Sequence, residues 1–309
     1  MDIEGLKSFL AVAKTKSFSK AAEQIHVTQP TLSIRISKLE EGLGFKLLER
    51  NWQGVQLTKE GYYFLPSAIE FLQSIDNTAL FLKEYVGEGK TSYEEVTNHK
   101  ADRLYIGLDD WLVHICLDPI MDILASKYPN LNYKIMIKPS KAICDLINYS
   151  GLHIGVMYHN ERDVFYETMT LVEDGLVMLH SESLDLSPYE TESLRSLKFL
   201  LFDNPVLTYH SEVTKEIIGK LGIKNFQIVN NVDVMIKTLL YGGCYTILPR
   251  SAVHGQLAGN QYPLKVHDVR EMFMPAKICM AKRESELLKD VILDIESALI
   301  GYFKTKYNR

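Results

Sequence analysis

Only four cysteines occur in the 309 residues, Cys116, Cys144, Cys244 and Cys279, and no two of them stand at CxxC spacing. That excludes a zinc finger or ribbon and argues against a disulfide framework. Each thiol lies among apolar residues, as small buried hydrophobes do. No apolar run approaches the roughly 20 residues needed to span a bilayer, and the N-terminus has no signal-peptide core. The expected location is therefore the cytoplasm, with no membrane partner. A glycine-rich phosphate loop, metal-ligand spacing and a GxSxG nucleophile elbow are also missing. On that ground no catalytic residue, metal or cofactor is assigned, and the chain is read as no enzyme.

Positive charge is in short supply as well, the net charge being −5, but it is unevenly placed. Residues 1–60 hold nine Lys/Arg against seven Asp/Glu, and the remainder holds 25 against 32. An acidic body is repelled by nucleic acid, so any binding there falls to the front end and is strongly salt-dependent. Hydrophobic residues at 46% and charged residues at 24% are ordinary for a globular protein, and the length suits two or three domains.

The front end contains two short helices joined by a tight turn. Ser19 is a plausible N-cap for the first, followed by Lys20, Ala21, Ala22 and Glu23, and the helix stops near His26 and Val27. Thr28 can cap the second, with Pro30 in its first turn, where a missing N–H costs nothing. Leu32, Ile36, Leu39 and Leu43, spaced four, three and four apart, form its buried face. Gln29, Ser33, Arg35 and Lys38 lie opposite. A helix N-terminus offering an amide, a hydroxyl and a cation is equipped to read base edges and phosphates. The residue types alone equally suit an ordinary helical hairpin with a polar outer face.

The balance shifts with a resemblance. From Met1 to Gly61 the chain is similar to the DNA-binding domain of the LysR-type transcriptional regulators. The matches are Phe9, Ala13, Ser17, Phe18, Ala21, Ala22, Gln29, Pro30, Leu32, Ser33, Ile36, Leu39, Glu40, Leu43, Gly44, Leu47 to Arg50, Val55, Leu57, Thr58 and Gly61. It implies a winged helix-turn-helix whose DNA-binding residues are Ser17, Thr28, Gln29, Pro30, Thr31, Ser33, Ile34, Arg35, Lys38 and Arg50. The wing is read at Phe45–Leu48 and Val55–Leu57 around Arg50-Asn51-Trp52-Gln53-Gly54. Gln53 stands where relatives commonly have a cation, which makes this wing less basic. Ile34 stands where relatives often carry Arg or Gln. It can touch a thymine methyl but cannot make a bidentate bond to guanine, so T or A is expected at that step.

An opening helix at residues 3–14 braces the hairpin. Thr58 can cap a long helix to about Val86, in which Leu65, Ala68, Leu72, Ile75, Ala79, Leu82 and Val86 form a heptad seam. Pairing with the same helix of another subunit is the expectation, with a kink at Pro66. Residues 88–102 are polar and read as a hinge. Beyond them, strands at 103–107, 132–138, 153–157, 168–179, 198–202, 226–230, 245–249 and 276–281 alternate with helices at 111–127, 140–149, 211–221, 231–241 and 285–304. That pattern predicts an α/β fold with largely parallel sheets.

This half loosely resembles the family's effector domain through Leu104–Gly107, Tyr128–Leu131, Ile154–Val156 and Gly242–Pro249. The expected domains are 1–60 for the winged helix-turn-helix, 61–87 for the linker helix, 88–102 for the hinge and 103–309 for the effector domain. The last would hold two subdomains like those of periplasmic binding proteins, 103–161 with 268–309, and 162–267. A small-molecule effector is expected in their cleft, against Asp109, Asp110, Trp111, Tyr158, His159, Asn204 and Asn231. Two carboxylates would repel an anion, so a cationic, polar or aromatic ligand is expected, with Trp111 as a stacking face. His153 replaces an Asp usual in relatives. The chain is thus read as a sequence-specific transcriptional regulator, a homodimer or homotetramer on double-stranded promoter or operator DNA, with RNA polymerase as a further candidate partner. Two-fold symmetry implies half-sites about one helical turn apart.

Overall fold

The computed structural model describes residues 2–52, 54–87, 103–158, 167–187, 191–202, 211–229, 231–257, 262–283 and 285–306. The chain forms two compact units, residues 1–98 and 99–309. The expected hinge at 88–102 lies outside the described residues.

In the first unit the helix boundaries follow from local capping. Asp2 accepts from Gly5 N at 2.6 Å and opens α1 (Ile3–Thr15), and Lys16 ends it in the left-handed region at φ 54°. α2 (Phe18–Gln24) is capped by Ser17, whose hydroxyl accepts from Lys20 N, and not by Ser19; the helix therefore starts two residues earlier than expected. Thr28 caps α3 (Gln29–Leu43) through Thr31 N, with Pro30 in the first turn and Gly44 at φ 82° closing it. β1 (Leu48–Asn51) and β2 (Gly54–Leu57) make the antiparallel wing. Thr58 then accepts from Gly61 N at 2.9 Å and starts α4 (Lys59–Gly87), which runs on through Pro66.

Two apolar clusters hold this unit together. Leu32 and Ile36 of α3 meet Ala11, Val12, Ala21 and Ala22, while Leu39 meets Leu6, Phe9, Leu47, Ala68 and Leu72. The second cluster corrects the seam on α4. Ala68 and Leu72 are buried, and Leu65 is partly buried, against the same chain's α1 and α3 rather than kept for a partner helix. A face bound for a core and a face bound for a partner show the same three-and-four spacing. Farther along, Ala79 is exposed, and the side chains of Leu82 and Val86 lie outside the described set.

Gly61 marks the tightest joint. A Cβ there would lie 2.1 Å from the Leu47 carbonyl oxygen, a backbone atom that cannot step aside. Gly61→Ala is expected to cost about 3 kcal/mol in the first unit's unfolding transition, the upper range for overpacking. Calorimetry of the full chain checks it: a melting profile identical to wild type would mean that the joint opens freely.

The second unit has two five-stranded sheets. The first has the order β4 (Asn132–Ile137), β3 (Arg103–Leu108), β5 (Ile154–Tyr158), β12 (Ala276–Lys282), β6 (Glu167–Asp174). The second has the order β11 (Leu264–Asp268), β7 (Leu176–Ser181), β10 (Cys244–Pro249), β8 (Lys198–Phe202), β9 (Phe226–Val229). β3, β4 and β5 are parallel, as are β8, β9 and β10, whereas β12, β6, β7 and β11 run against their neighbours. The helices are α5 (Val113–Lys127), α6 (Ser140–Asn148), α7 (Thr191–Ser196), α8 (Ser211–Leu221), α9 (Val232–Leu240), α10 (Arg250–Leu257) and α11 (Lys289–Lys306). β11, α7 and α10 had no counterpart in the sequence reading.

The single strand expected at 168–179 is two strands. The chain leaves the first sheet at Asp174, turns at Gly175 and enters the second at Leu176. β6 therefore pairs with β12 in the first sheet, although a boundary at 162 would put it in the second subdomain. Continuous hydrophobicity hides the switch, because strands buried in either sheet look alike. His153 now has a role: its Nδ1 accepts from Tyr105 N at 3.0 Å while its own backbone N–H donates to the Tyr105 carbonyl, extending the β3–β5 join. Among the described residues no helix is long and apolar enough to cross a membrane.

Candidate functional site

α3 presents its N-terminal half to solvent. Thr28, Gln29, Pro30, Thr31 and Lys38 are exposed, Ser33 is half-buried, and Ile34 is 57% exposed. The Thr28 and Thr31 hydroxyls bond each other at 2.8 Å. Gln29 Oε1 accepts from Ser19 Oγ at 3.0 Å, which orients the amide and leaves its N–H donors for a second partner. Ser17 is occupied as the cap of α2. On the wing, the Arg50 guanidinium sits 4.3 Å from the centroid of the Phe18 ring, held beside α2 rather than swinging free. Phe18, Ser33, Ser37, Lys46 and Arg50 line one shallow depression between α3 and the wing.

Arg35 departs from its assignment. It pairs with Glu4 of α1 at 2.8 Å and is turned toward the head's own body. Three residues on from Leu32 it stands at the edge of the buried stripe, so it reaches α1 more readily than the outer face.

In the second unit the expected ligand residues gather at the carboxyl ends of the strands, but several are framework. Asp109 has no exposed surface: Oδ1 accepts from Trp111 N at 3.1 Å and Oδ2 from Ser140 Oγ at 2.5 Å. Burial, opposed by those two bonds, pushes its carboxyl up to about 7. It is thus removed from direct contact with a ligand. Trp111 is also buried, not an open stacking face. It meets Phe202 edge-on at 4.9 Å and, with Leu179, Met235, Leu239, Leu248 and Ala252, closes around an apolar void of about 10 Å³. An indole can serve as a wedge between two sheets as easily as a platform, and here it joins the first sheet to the second.

Tyr158 is buried too. Its hydroxyl bonds Ser251 Oγ at 2.5 Å, its N–H donates to Ser140 Oγ, and burial raises its pKa well above the usual phenol value. Ser251, at the start of α10, donates both N–H and hydroxyl to Asp174, whose carboxyl burial pushes up to about 6. Asp109, Ser140, Tyr158, Ser251 and Asp174 thus form a buried hydrogen-bonded chain from the end of β3 to the helix that follows β10. Asp110 is exposed, its carboxyl raised by partial burial against the pull of Lys138. Asn231 is exposed and caps α9 by accepting from Val234 N at 3.1 Å. Each directly precedes in the chain a residue that lines the void, Trp111 and Val232, without lining it itself. His159 and Asn204, like the loop from Asp203 to Pro205, lie outside the described residues.

Two groups escaped the sequence reading. Glu40 is 6% exposed and bridges α3 to the wing, its Oε1 accepting from Leu47 N and Leu48 N at 2.9 and 3.2 Å. Its place four residues after Ile36, on the buried stripe, was a usable signal. Ser251 and Asp174 had none, being 77 residues apart and joined only by the fold.

A family profile described as "Bacterial regulatory helix-turn-helix protein, lysR family" matches residues 3–62, and one described as "LysR substrate binding domain" matches residues 97–295. The HTH-type transcriptional regulator BenM of Acinetobacter baylyi is 30% identical over 85% of this chain and 84% of its own length. A probable cat1 operon transcriptional activator of Acinetobacter lwoffii is 28% identical over 82% of each. Full-length BenM superposes with a TM-score of 0.53 at 22% identity, covering 99% of this chain and 98% of that one. A full-length OxyR variant from Pseudomonas aeruginosa superposes with a TM-score of 0.52 at 19% identity, covering 97% and 99%. The exposed face of α3 and the wing, the two-sheet second unit and these matches lead to one statement: the chain belongs to the LysR family of DNA-binding transcriptional regulators and carries that family's substrate-binding domain.

Proposed function

We propose that the regulator reads its operator with the N-terminal half of α3 and anchors on the backbone with the wing. Gln29, Thr31 and Ile34 face base edges in the major groove, and Thr28, Ser33, Lys38 and Arg50 hold phosphates and sugars. Ser17 and Arg35 support the head rather than the contact. The observation that carries the reading is the exposed face of α3, on which an oriented amide, two hydroxyls and an unshielded isoleucine converge. Its partner is double-stranded DNA in the cytoplasm. The second unit's ligand is a small polar molecule held beside the exposed Asp110 and Asn231, at the carboxyl ends of β3 and β9. With Asp109 buried, Asp110 alone of the two presents a carboxylate that would repel an anion. Two copies pair through the part of α4 beyond Leu72, giving a dimer or tetramer with half-sites one helical turn apart, and chemistry on the ligand is no part of the role.

Fluorescence anisotropy tests this with the full-length protein on duplex DNA from upstream of its own gene, against a shuffled duplex, at about 150 mM salt. A preference on the order of a thousandfold is expected. Gln29→Ala should cost about 1–3 kcal/mol and relax the preference, whereas Arg50→Ala should weaken all duplexes alike and lower the salt slope by about 1. Equal binding of both duplexes by wild type, unchanged by Gln29→Ala, would remove the assignment.

A further inference from the structure

Trp52 stands at the turn of the wing hairpin and is 91% exposed, whereas the chain's other tryptophan, Trp111, is 4% exposed. An indole left in water at the tip of a projection is apolar surface that the described residues of its own chain do not cover. The tip is also held in place. Val55 N donates to the Lys16 carbonyl at 3.2 Å, and Gly54, at φ 122°, approaches that oxygen so closely that a Cβ would lie 3.1 Å from it. The hairpin is therefore seated on the α1–α2 turn, with Arg50 fixed over Phe18 at the start of α2. Lys16 on that turn, Lys20 in the first turn of α2 and Arg50 on the wing are exposed cations on the elements the hairpin is seated against, with Glu49 the exposed carboxylate beside Arg50.

An aromatic ring flanked by exposed cations suits a polyanion that also offers apolar edges. Duplex DNA is such a surface: its minor groove is walled by deoxyribose and floored by base edges, with phosphates on both rims. We propose that Trp52 is a further DNA contact of this regulator, its indole entering the minor groove beside the segment read by α3 while Lys16, Lys20 and Arg50 take the flanking phosphates. The lost cation at Gln53 is thereby offset by an apolar wedge, and sequence preference at that step follows how readily the base pairs open toward the groove. The proposal rests on the DNA-binding reading above and goes beyond it in assigning this residue.

The test uses the full-length wild-type chain and Trp52→Phe, whose difference in fluorescence isolates Trp52 because Trp111 is shielded. Acrylamide quenching is measured with and without the upstream duplex, at saturation set by anisotropy of the labelled strand. Bound DNA should lower quenching of Trp52 severalfold. Trp52→Ala should weaken binding roughly five- to 150-fold, the span for loss of one aromatic ring stacked on a base, with Trp52→Phe close to wild type. The slope of affinity against salt should stay unchanged in Trp52→Ala, because an apolar contact releases no counterion. Quenching that is the same with DNA bound, or Trp52→Ala binding as tightly as wild type, overturns the proposal while leaving the DNA-binding reading intact. Protection of Trp52 that rises with protein concentration in the absence of DNA places it between copies and overturns it too. No anisotropy change on any duplex removes both readings.

Discussion

Glu40→Ala is expected to lower the stability of the first unit by about 3 kcal/mol and to weaken DNA binding beyond what any single base contact would cost. Glu40 lies on the buried stripe of α3, and its carboxylate is the acceptor for two successive backbone amides at the start of the wing, Leu47 N and Leu48 N. Truncation leaves a buried N–H at Leu47 without an acceptor, and a hydrogen bond to a charged group is worth about 1.5–3 kcal/mol where one end is buried. The ion pair with Lys46, 2.7 Å long, adds little because Lys46 is 70% exposed. The functional effect follows from position: the same carboxylate sets the wing, and so Arg50, relative to α3. Glu40→Gln keeps one acceptor and should fall between wild type and Ala. Urea unfolding and anisotropy on the same samples read both effects. If Glu40→Ala unfolds at the wild-type midpoint, the wing is held by something other than this clamp.

Raising the pH from 5 to 8 is expected to destabilise the second unit by about 3–4 kcal/mol, and Asp109→Asn to remove most of that slope. Asp109 and Asp174 titrate near 7 and 6 in the folded protein, against 3.8 for an ordinary aspartate. Between about pH 4 and pH 7 the native state therefore holds protons that the unfolded chain has released, so stability falls as pH rises and levels off above about 8. Asp268 and Asp294, both lowered by cationic or hydrogen-bonding partners, act the other way, but their stabilisation is lost only as pH falls below the ordinary aspartate range. His267, lowered by burial and by His180 and Lys265, opposes the trend below about 6.5. Asp109→Asn is the sharper probe because an amide keeps an acceptor for Trp111 N, and offers an N–H to Ser140 Oγ, without a charge to desolvate. Urea midpoints of both proteins at pH 5 and pH 8 decide it: an Asp109→Asn slope equal to wild type would place the linked protons elsewhere. These carboxyls end the hydrogen-bonded chain through Ser140, Tyr158 and Ser251 that ties the two sheets together.

The head was legible because its signals are local. Thr28 with Pro30, Gly44 and Thr58 set boundaries through bonds that reach three or four residues, and the stripe Leu32, Ile36, Leu39 names the buried face without knowledge of what covers it. The same locality misled at Ser19, because two serines two residues apart both satisfy a capping pattern and only backbone geometry at Ser17 chooses between them. In the second unit, strand and helix alternation was readable from hydrophobic runs, yet the run from 168 to 179 concealed a change of sheet at Gly175. Asp109 and Trp111 in the loop after the first strand, and Tyr158 in the crossover, were read as ligand residues and are buried, because residue type does not say whether a polar or aromatic group faces a ligand or a neighbour.

The sequence by itself thus determined the winged helix-turn-helix head, the α/β character of the second unit and the family, all of which rest on contacts between near neighbours or on motifs at set spacing. Tertiary structure alone decided that Arg35 pairs inward with Glu4, that Ala68 and Leu72 belong to the head's own core, that Glu40 clamps the wing, and that Trp111 wedges the two sheets together. Those outcomes depend on residues far apart in the chain. Which partner wins there is set by burial and packing, which no local pattern encodes.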